Sequence, residues 1–308
     1  MPRIHLDTDI GGDIDDICAL ALVLNWPGAE LVGVTTVGDD RGRRAGYARE
    51  ALDIAGYPGV PVAAGADVSL GCFRSELGLP DEARYWPNPV EPAPGPLEQA
   101  LDLLEASIAA GAVIVAIGPF TNFALLERRQ PGILRQASLV TMGGFVHPPR
   151  RGFPAWGREM DWNAWVDTPS AATLFQNSEP TIVSLAVTVE TYLRRSHLPA
   201  LAAGGPLARL IARQAEAFAQ DEKMEQRFGA VYDGLPADMV NFQHDPLACA
   251  IALGWEEGVS IEPVRLKHEV QDGLLHQRVD PGGIPARLVT GVDGPAFSEH
   301  WARLAVRR

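Results

Sequence analysis

Lysine is almost absent: Lys223 and Lys267 are the only two among the 26 basic residues of this 308-residue chain, and the rest are arginine. Against 39 acidic residues this leaves a formal net charge of −13. Such a surface argues against nucleic acid as a partner, because a phosphate backbone demands clustered basic side chains. Cysteine is scarce too. Cys18, Cys72 and Cys249 are odd in number, widely spaced and set among apolar residues, which points to buried thiols in a reducing compartment and away from a disulfide framework or a zinc site. The chain also lacks any apolar run of about eighteen residues, and the first acid, Asp7, arrives before an apolar leader segment can form. A soluble cytoplasmic protein without membrane contact is therefore expected.

What is present is enough apolar material, 46% of residues with 21% charged, to bury a full core without staples. Short apolar runs alternate with longer amphipathic ones. Strand-like segments fall at Ile4 to Leu6, Glu30 to Val37, Val60 to Ala64, Val113 to Ile117, Ser138 to Met142 and Thr181 to Leu185. Helix-like ones fall at Asp16 to Trp26, Arg43 to Ala55, Pro96 to Ala110, Thr121 to Gln130, Thr168 to Gln176, Pro206 to Ala219 and Pro246 to Gly254. This rhythm predicts an α/β fold with an open, mostly parallel sheet flanked by helices. Alternation in Val264 to Val270 and Gln277 to Val279 suggests a small antiparallel edge near the C-terminus. No linker or repeat divides residues 1–308, so one domain is expected. The main loops should be Pro80 to Pro96 and His147 to Gly157, and Tyr85, Trp86, Trp156 and Trp162 in or near them are candidates either to stack on a base or to join the core.

In such sheets ligands bind beyond the carboxyl ends of the strands. There the first strand delivers Asp7, Asp9, Asp13, Asp15 and Asp16 within ten residues, interrupted by Gly11 and Gly12. Carboxylates so close repel by on the order of a kcal/mol or more per pair. One or two of them suffice to cap a helix; five exceed that need. Oxygen donors without nearby Cys or His favour Ca²⁺ or Mg²⁺, and calcium tolerates irregular geometry better.

The segment IHLDTDIGGDIDDICALAL resembles the N-terminal signature of nucleoside hydrolases, in a longer form with two residues inserted around Gly12 and Asp13. Further matches follow in family order: TTVGDD, AIGPFTNFALL, DWNAWVD, NFQHDPLACAIAL and VDGPAF. The resemblance implies the nucleoside hydrolase fold with a Rossmann-like core. It also implies Ca²⁺-dependent hydrolysis of the N-glycosidic bond of a small-molecule ribonucleoside by a homodimer or homotetramer.

It implies roles for particular residues as well. The metal would be held by Asp9, Asp16, Asp245 and the main-chain carbonyl of Thr121, with Asp9 also the general base. Asp15 would bind the 2′-hydroxyl, and Asp161 and Asn163 the ribose, Asp161 replacing the usual glutamate. Relatives also use an upstream asparagine for the 5′-hydroxyl. FPAWGREM offers none, and Glu159 and Arg158 are the candidates to replace it. Asp39, where an asparagine is usual, is a candidate for the sugar or for a turn. His244 matches the family's proton donor to the departing base, and its ordinary pKa suits that work.

Two rivals remain. An Asp-x-Asp after a first strand also marks Mg²⁺-dependent phosphatases of the haloacid dehalogenase type, but neither lysine here follows a clear strand. The other is a member that binds ribosides without cleaving them.

Overall fold

The computed structural model describes residues 1–71 and 81–307. Cys72, and Pro80 at the start of the first long loop, lie outside the described residues. Eleven strands form among them: β1 (Arg3–Thr8), β2 (Glu30–Thr36), β3 (Val62–Ala64), β4 (Val113–Ala116), β5 (Ser138–Met142), β6 (Thr181–Val183), β7 (Tyr192–Arg194), β8 (Met239–Phe242), β9 (Ser260–Gln271), β10 (Leu274–Val279) and β11 (Ile284–Gly291). Nine of them build one sheet in the order β10-β9-β11-β6-β5-β4-β1-β2-β3. From β3 to β11 the neighbours run parallel; β9 and β10 close the other edge antiparallel. The expected parallel sheet and antiparallel edge are both present. The sequence reading missed β11, which enters beside β6, and the short antiparallel pair of β7 with β8.

Strand alternation sorts the core onto two faces. In β4 and its exit, Val115 and Ile117 join one apolar cluster while Ile114 and Ala116 join the other. The first cluster is capped by helices α1 (Asp15–Asn25), α2 (Arg43–Ile54), Pro206–Glu222, His244–Ala252 and Gly294–Ala305; the second by Leu97–Ala109, Thr121–Arg129 and Thr168–Asn177. Helices on both faces leave strands buried on both sides, which is why they read as continuous apolar runs. Helix α1 packs against His244–Ala252, and Trp301 donates its indole N–H to the Cys18 carbonyl at 3.0 Å. Cys18 and Cys249 are buried and free. No described helix is long and apolar enough to cross a membrane.

The same alternation decides the fate of the first aspartate. Ile4 and Leu6 face the α1 side. His5 and Asp7 share the opposite face, where His5 bonds Ser107 Oγ at 2.8 Å and Thr35 Oγ1 at 3.0 Å. Thr35 donates its hydroxyl to Asp7, and Asn122 Nδ2 donates to the same carboxylate at 2.8 Å. Asp7 is thus a member of a buried polar network beneath the sheet, with its pKa pushed up to about 7 by burial.

Candidate functional site

The strand order reverses at β1, whose chain neighbours continue to one side through β2 and to the other through β4. A crevice at the carboxyl ends is expected at such a point. A cleft of about 260 Å³ opens there. Its floor comes from the exits of β1 (Asp9), β4 (Ile117) and β5 (Met142), and the start of α1 adds Asp15 and Asp16. The helix following β8 contributes His244 and Asp245.

Carboxylate oxygens of Asp13, Asp15 and Asp16 lie within 4.8 Å of one another, a group able to hold a metal ion. Asp13 Oδ1 also accepts the Asp15 amide at 3.3 Å, and Asp15 Oδ2 accepts the Asp245 amide at 3.3 Å. Thr8 donates its hydroxyl to Asp16 while accepting the Ile10 amide at 3.1 Å. Burial holds the Asp9, Asp15, Asp16 and Asp245 carboxyls above the ordinary carboxylate range, and neighbouring aspartates add to the rise. An all-oxygen acidic cluster of this kind fits a hard divalent cation. Asp13 therefore belongs to the cluster, although the sequence alignment passed over it as part of an insertion.

The turn over Asp9 requires a glycine opposite. A Cβ on Gly118 would stand 2.7 Å from Val37 Cγ1 and 2.9 Å from the Asp9 nitrogen. Trp162 closes the other side, its indole N–H donating to Asp9 Oδ2 at 3.3 Å while the ring stays 42% exposed at the mouth. Trp156 packs edge-on against Phe228 and Phe242, and Phe242 stacks on the His244 ring at 5.1 Å. With Met142, Met160 and Leu185, the Trp156 and Trp162 side chains give the cleft apolar lining beside its aspartates.

Of the residues singled out by sequence, Asp9, Asp15, Asp16, Asn163, His244 and Asp245 line the cleft together. Asn163 spends its Nδ2 on the carbonyls of Ile117 at 2.9 Å and Met142 at 3.1 Å. Burial pushes the His244 pKa down to about 4, and Nδ1 sits 2.7 Å from Thr188 Oγ1. Burial thus disfavours the protonated imidazole.

Four others stand outside the cleft lining. Thr121 gives its hydroxyl to Asp167 at 2.6 Å at the start of its helix, while Ile117, four residues earlier, lines the cleft. Asp39 accepts the Thr36 hydroxyl at 2.6 Å and the amides of Arg44 and Ala45 at 2.8 and 3.0 Å, so it caps α2. Asp161 turns to the Gly144 amide at 2.6 Å and caps Trp162–Val166, its pKa raised to about 6 by burial. Glu159 is exposed on a single helical turn. Tyr85 and Trp86 are buried, Trp86 stacked on Tyr47 at 5.0 Å. Sequence reasoning missed Arg44 altogether. Ile117 could have been found, because it follows β4, whose neighbour β1 leads into Asp9.

A family model described as inosine-uridine preferring nucleoside hydrolase matches residues 4–299. The chain is 31% identical to the inosine-uridine preferring nucleoside hydrolase of Leishmania major over 202 residues, 61% of this chain and 62% of that one. It is 29% identical to the pyrimidine-specific ribonucleoside hydrolase RihA of Enterobacter sp. (strain 638) over 261 residues, 81% of this chain and 77% of that one. The chain spans 62–64% of the length of three of the curated relatives it matches. In fold it is similar to the plant nucleoside hydrolase PpNRh1, with a TM-score of 0.81 at 18% identity, covering 100% of this chain and 99% of that one. The purine-preferring ribonucleoside hydrolase from Gardnerella vaginalis gives 0.77 at 21%, covering 98% of each. The family match runs through every strand that feeds the cleft, and on that ground the chain belongs to the inosine-uridine preferring nucleoside hydrolase family.

Proposed function

We propose that this protein hydrolyses the N-glycosidic bond of ribonucleosides, releasing ribose and a free base, with Ca²⁺ as its cation. One observation carries the reading: aspartates separated by more than two hundred residues meet in one cleft that Trp156 and Trp162 also line. An acidic wall suits a polyhydroxylated sugar and a cation; rings suit the flat face of a base.

Asp9, Asp16 and Asp245, with Asp13 beside them and the Ile117 carbonyl at the floor, are the oxygens that would hold the cation. When bound, a divalent cation supplies charge that acidifies water and grips a vicinal diol. Asp9 then accepts the proton of the attacking water, its other oxygen held by Trp162. Cleavage of the C–N bond develops oxocarbenium character on the sugar, and surrounding carboxylates stabilise that positive charge more than they stabilise the ground state. Asp15 accepts from the 2′-hydroxyl. Asn163, both amide protons committed, offers Oδ1 as an acceptor to a neighbouring hydroxyl. His244, stacked on Phe242, meets the leaving base as a hydrogen-bonding partner. On this reading the enzyme is a cytoplasmic homo-oligomer serving nucleoside salvage.

The test is a reducing-sugar assay with calcium over a panel of purine and pyrimidine ribonucleosides and their 2′-deoxy counterparts. Ribose should appear from at least one ribonucleoside. The matched deoxynucleoside should react at least about tenfold slower, since a lost hydrogen bond to a charged group is worth about 1.5–3 kcal/mol. Calcium-dependent thermal stabilisation with no ribose from any riboside would overturn hydrolysis and leave a binding protein.

A further inference from the structure

Arg44 is the one arginine or lysine among the residues lining the cleft, and it is 3% exposed. Burying a guanidinium costs several kcal/mol unless its charge and donors are used well. Its protein partners are all backbone carbonyls. Nε donates to Gly38 at 2.7 Å, and Nη1 donates to Asp9 and to Ile10, the latter at 3.1 Å. Nη2 has no partner among the described residues and is not sealed from solvent. Asp39 fixes the base of this side chain by accepting the Arg44 amide.

These bonds tie the exit of β2 to the turn that follows β1. That turn contains Gly11 at φ +103 and Gly12 before Asp13, a stretch with more backbone freedom to lose than any other sequence of its length. Locking Asp9 and Ile10 by their carbonyls removes that freedom where the cluster needs a fixed geometry.

The unbonded edge also has a selectivity. Five aspartates share the cleft with Arg44; a divalent cation would still leave two negative charges in excess, which disfavours a phosphate group. We propose that Arg44 is a positioning residue of this site, clamping the turn that carries Asp9 and presenting Nη2 to a neutral oxygen, a water or a sugar hydroxyl, and not to a phosphate. The clamp is independent of the chemistry; the oxygen partner rests on the ribohydrolase reading above.

Arg44→Lys keeps the charge and removes the fork, so it separates the two contributions. The purified variant and wild type are titrated with CaCl₂ by calorimetry without nucleoside, then assayed for kcat and KM on the best ribonucleoside and on its 5′-monophosphate. Calcium affinity and kcat are each expected to fall about tenfold or more. KM should rise with them if Nη2 serves a sugar hydroxyl and stay level if it serves the attacking water. Calcium affinity and kcat both within twofold of wild type would overturn the clamp. Preferred cleavage of the monophosphate by the wild type, lost selectively in the variant, would overturn the neutral partner. If Arg44→Lys does not fold, Arg44→Gln is read in the same titration with the same criteria. A fall in calcium affinity in a protein that releases no ribose from any riboside would sustain the clamp while removing the hydrolase reading.

Discussion

Replacing Asp16 by asparagine should stabilise the metal-free protein and reduce the stabilisation that calcium brings. Carboxylate oxygens of Asp13, Asp15 and Asp16 are no more than 4.8 Å apart. Two unit charges at that distance, at an effective dielectric near 20, repel by about 3.5 kcal/mol. Three ionised carboxylates would then cost on the order of 10 kcal/mol, as much as a whole domain's stability. Part of this is relieved by proton uptake, consistent with the raised Asp15 and Asp16 carboxyls, and part by solvent around exposed Asp13. A gain of about 1–3 kcal/mol remains for Asp16→Asn in chelator. The amide keeps an oxygen for the Thr8 hydroxyl, so the bond at that position is not the variable.

At about 2.1 cal/mol/K per residue, a chain of this length moves about 1.5 °C per kcal/mol, which puts the variant about 2–5 °C above wild type in EDTA. With calcium at about a hundred times its Kd the wild type gains about 2.7 kcal/mol, or about 4 °C, and the variant forfeits most of that gain. Scanning calorimetry in EDTA and in CaCl₂ should therefore show the variant's lead in EDTA shrink by most of that 4 °C in calcium. A variant less stable than wild type in EDTA, protected by calcium to the same degree, would refute the view that these carboxylates are held together against their own repulsion for a cation.

Three further outcomes follow from groups around the cluster. His5 is held neutral by burial, its pKa lowered from 6.5 to about 3, so the unfolded chain takes up a proton before the native one does. Its contribution is complete above pH 6.5 and is lost as pH falls toward 3, by about 2–3 kcal/mol at pH 4.5. Urea melts at pH 7 and 4.5 should show a smaller loss for His5→Gln than for wild type, and equal losses would contradict the assignment. Gly118→Ala pushes a methyl into Val37 and the Asp9 backbone; it should cost about 1–3 kcal/mol and lower calcium affinity and ribose release together, whereas unchanged calcium binding would show the contact to be harmless. Asp39→Ala removes a cap with three donors and should cost about 1–2 kcal/mol with KM for a nucleoside within about threefold; a higher KM without lost stability would return Asp39 to the sugar.

The framework of the fold was legible because its strands and helices are adjacent in sequence and buried on a fixed period. β1 through β6 and their crossover helices each announce themselves locally. β11 did not, because Pro285 interrupts an already amphipathic stretch and its partner β6 lies about a hundred residues away. The β7–β8 pair joins segments of three and four residues separated by residues 195–238, too short for any pattern to register. The acidic half of the site was visible for the opposite reason, since like charges that crowd a turn are anomalous without a ligand.

Thr121, Asp39 and Asp161, which fall outside the cleft lining, share one feature. A motif orders residues along the chain, but membership of the cleft depends on whether a side chain's polar atoms have been satisfied by neighbours first. Thr121 spends its hydroxyl on Asp167, and Asp39 and Asp161 accept nearby amides on their carboxylates. Short polar side chains next to a helix start compete with the backbone for hydrogen bonds, and a cap formed at no cost in chain closure outcompetes a contact across the cleft. Arg44 shows the converse. Its long side chain leaves the helix start that Asp39 caps and reaches three carbonyls in two other turns. A reach of that kind leaves no trace in sequence spacing, so the residue least visible in the chain is the one that ties the end of β2 to the turn carrying Asp9 into the cleft.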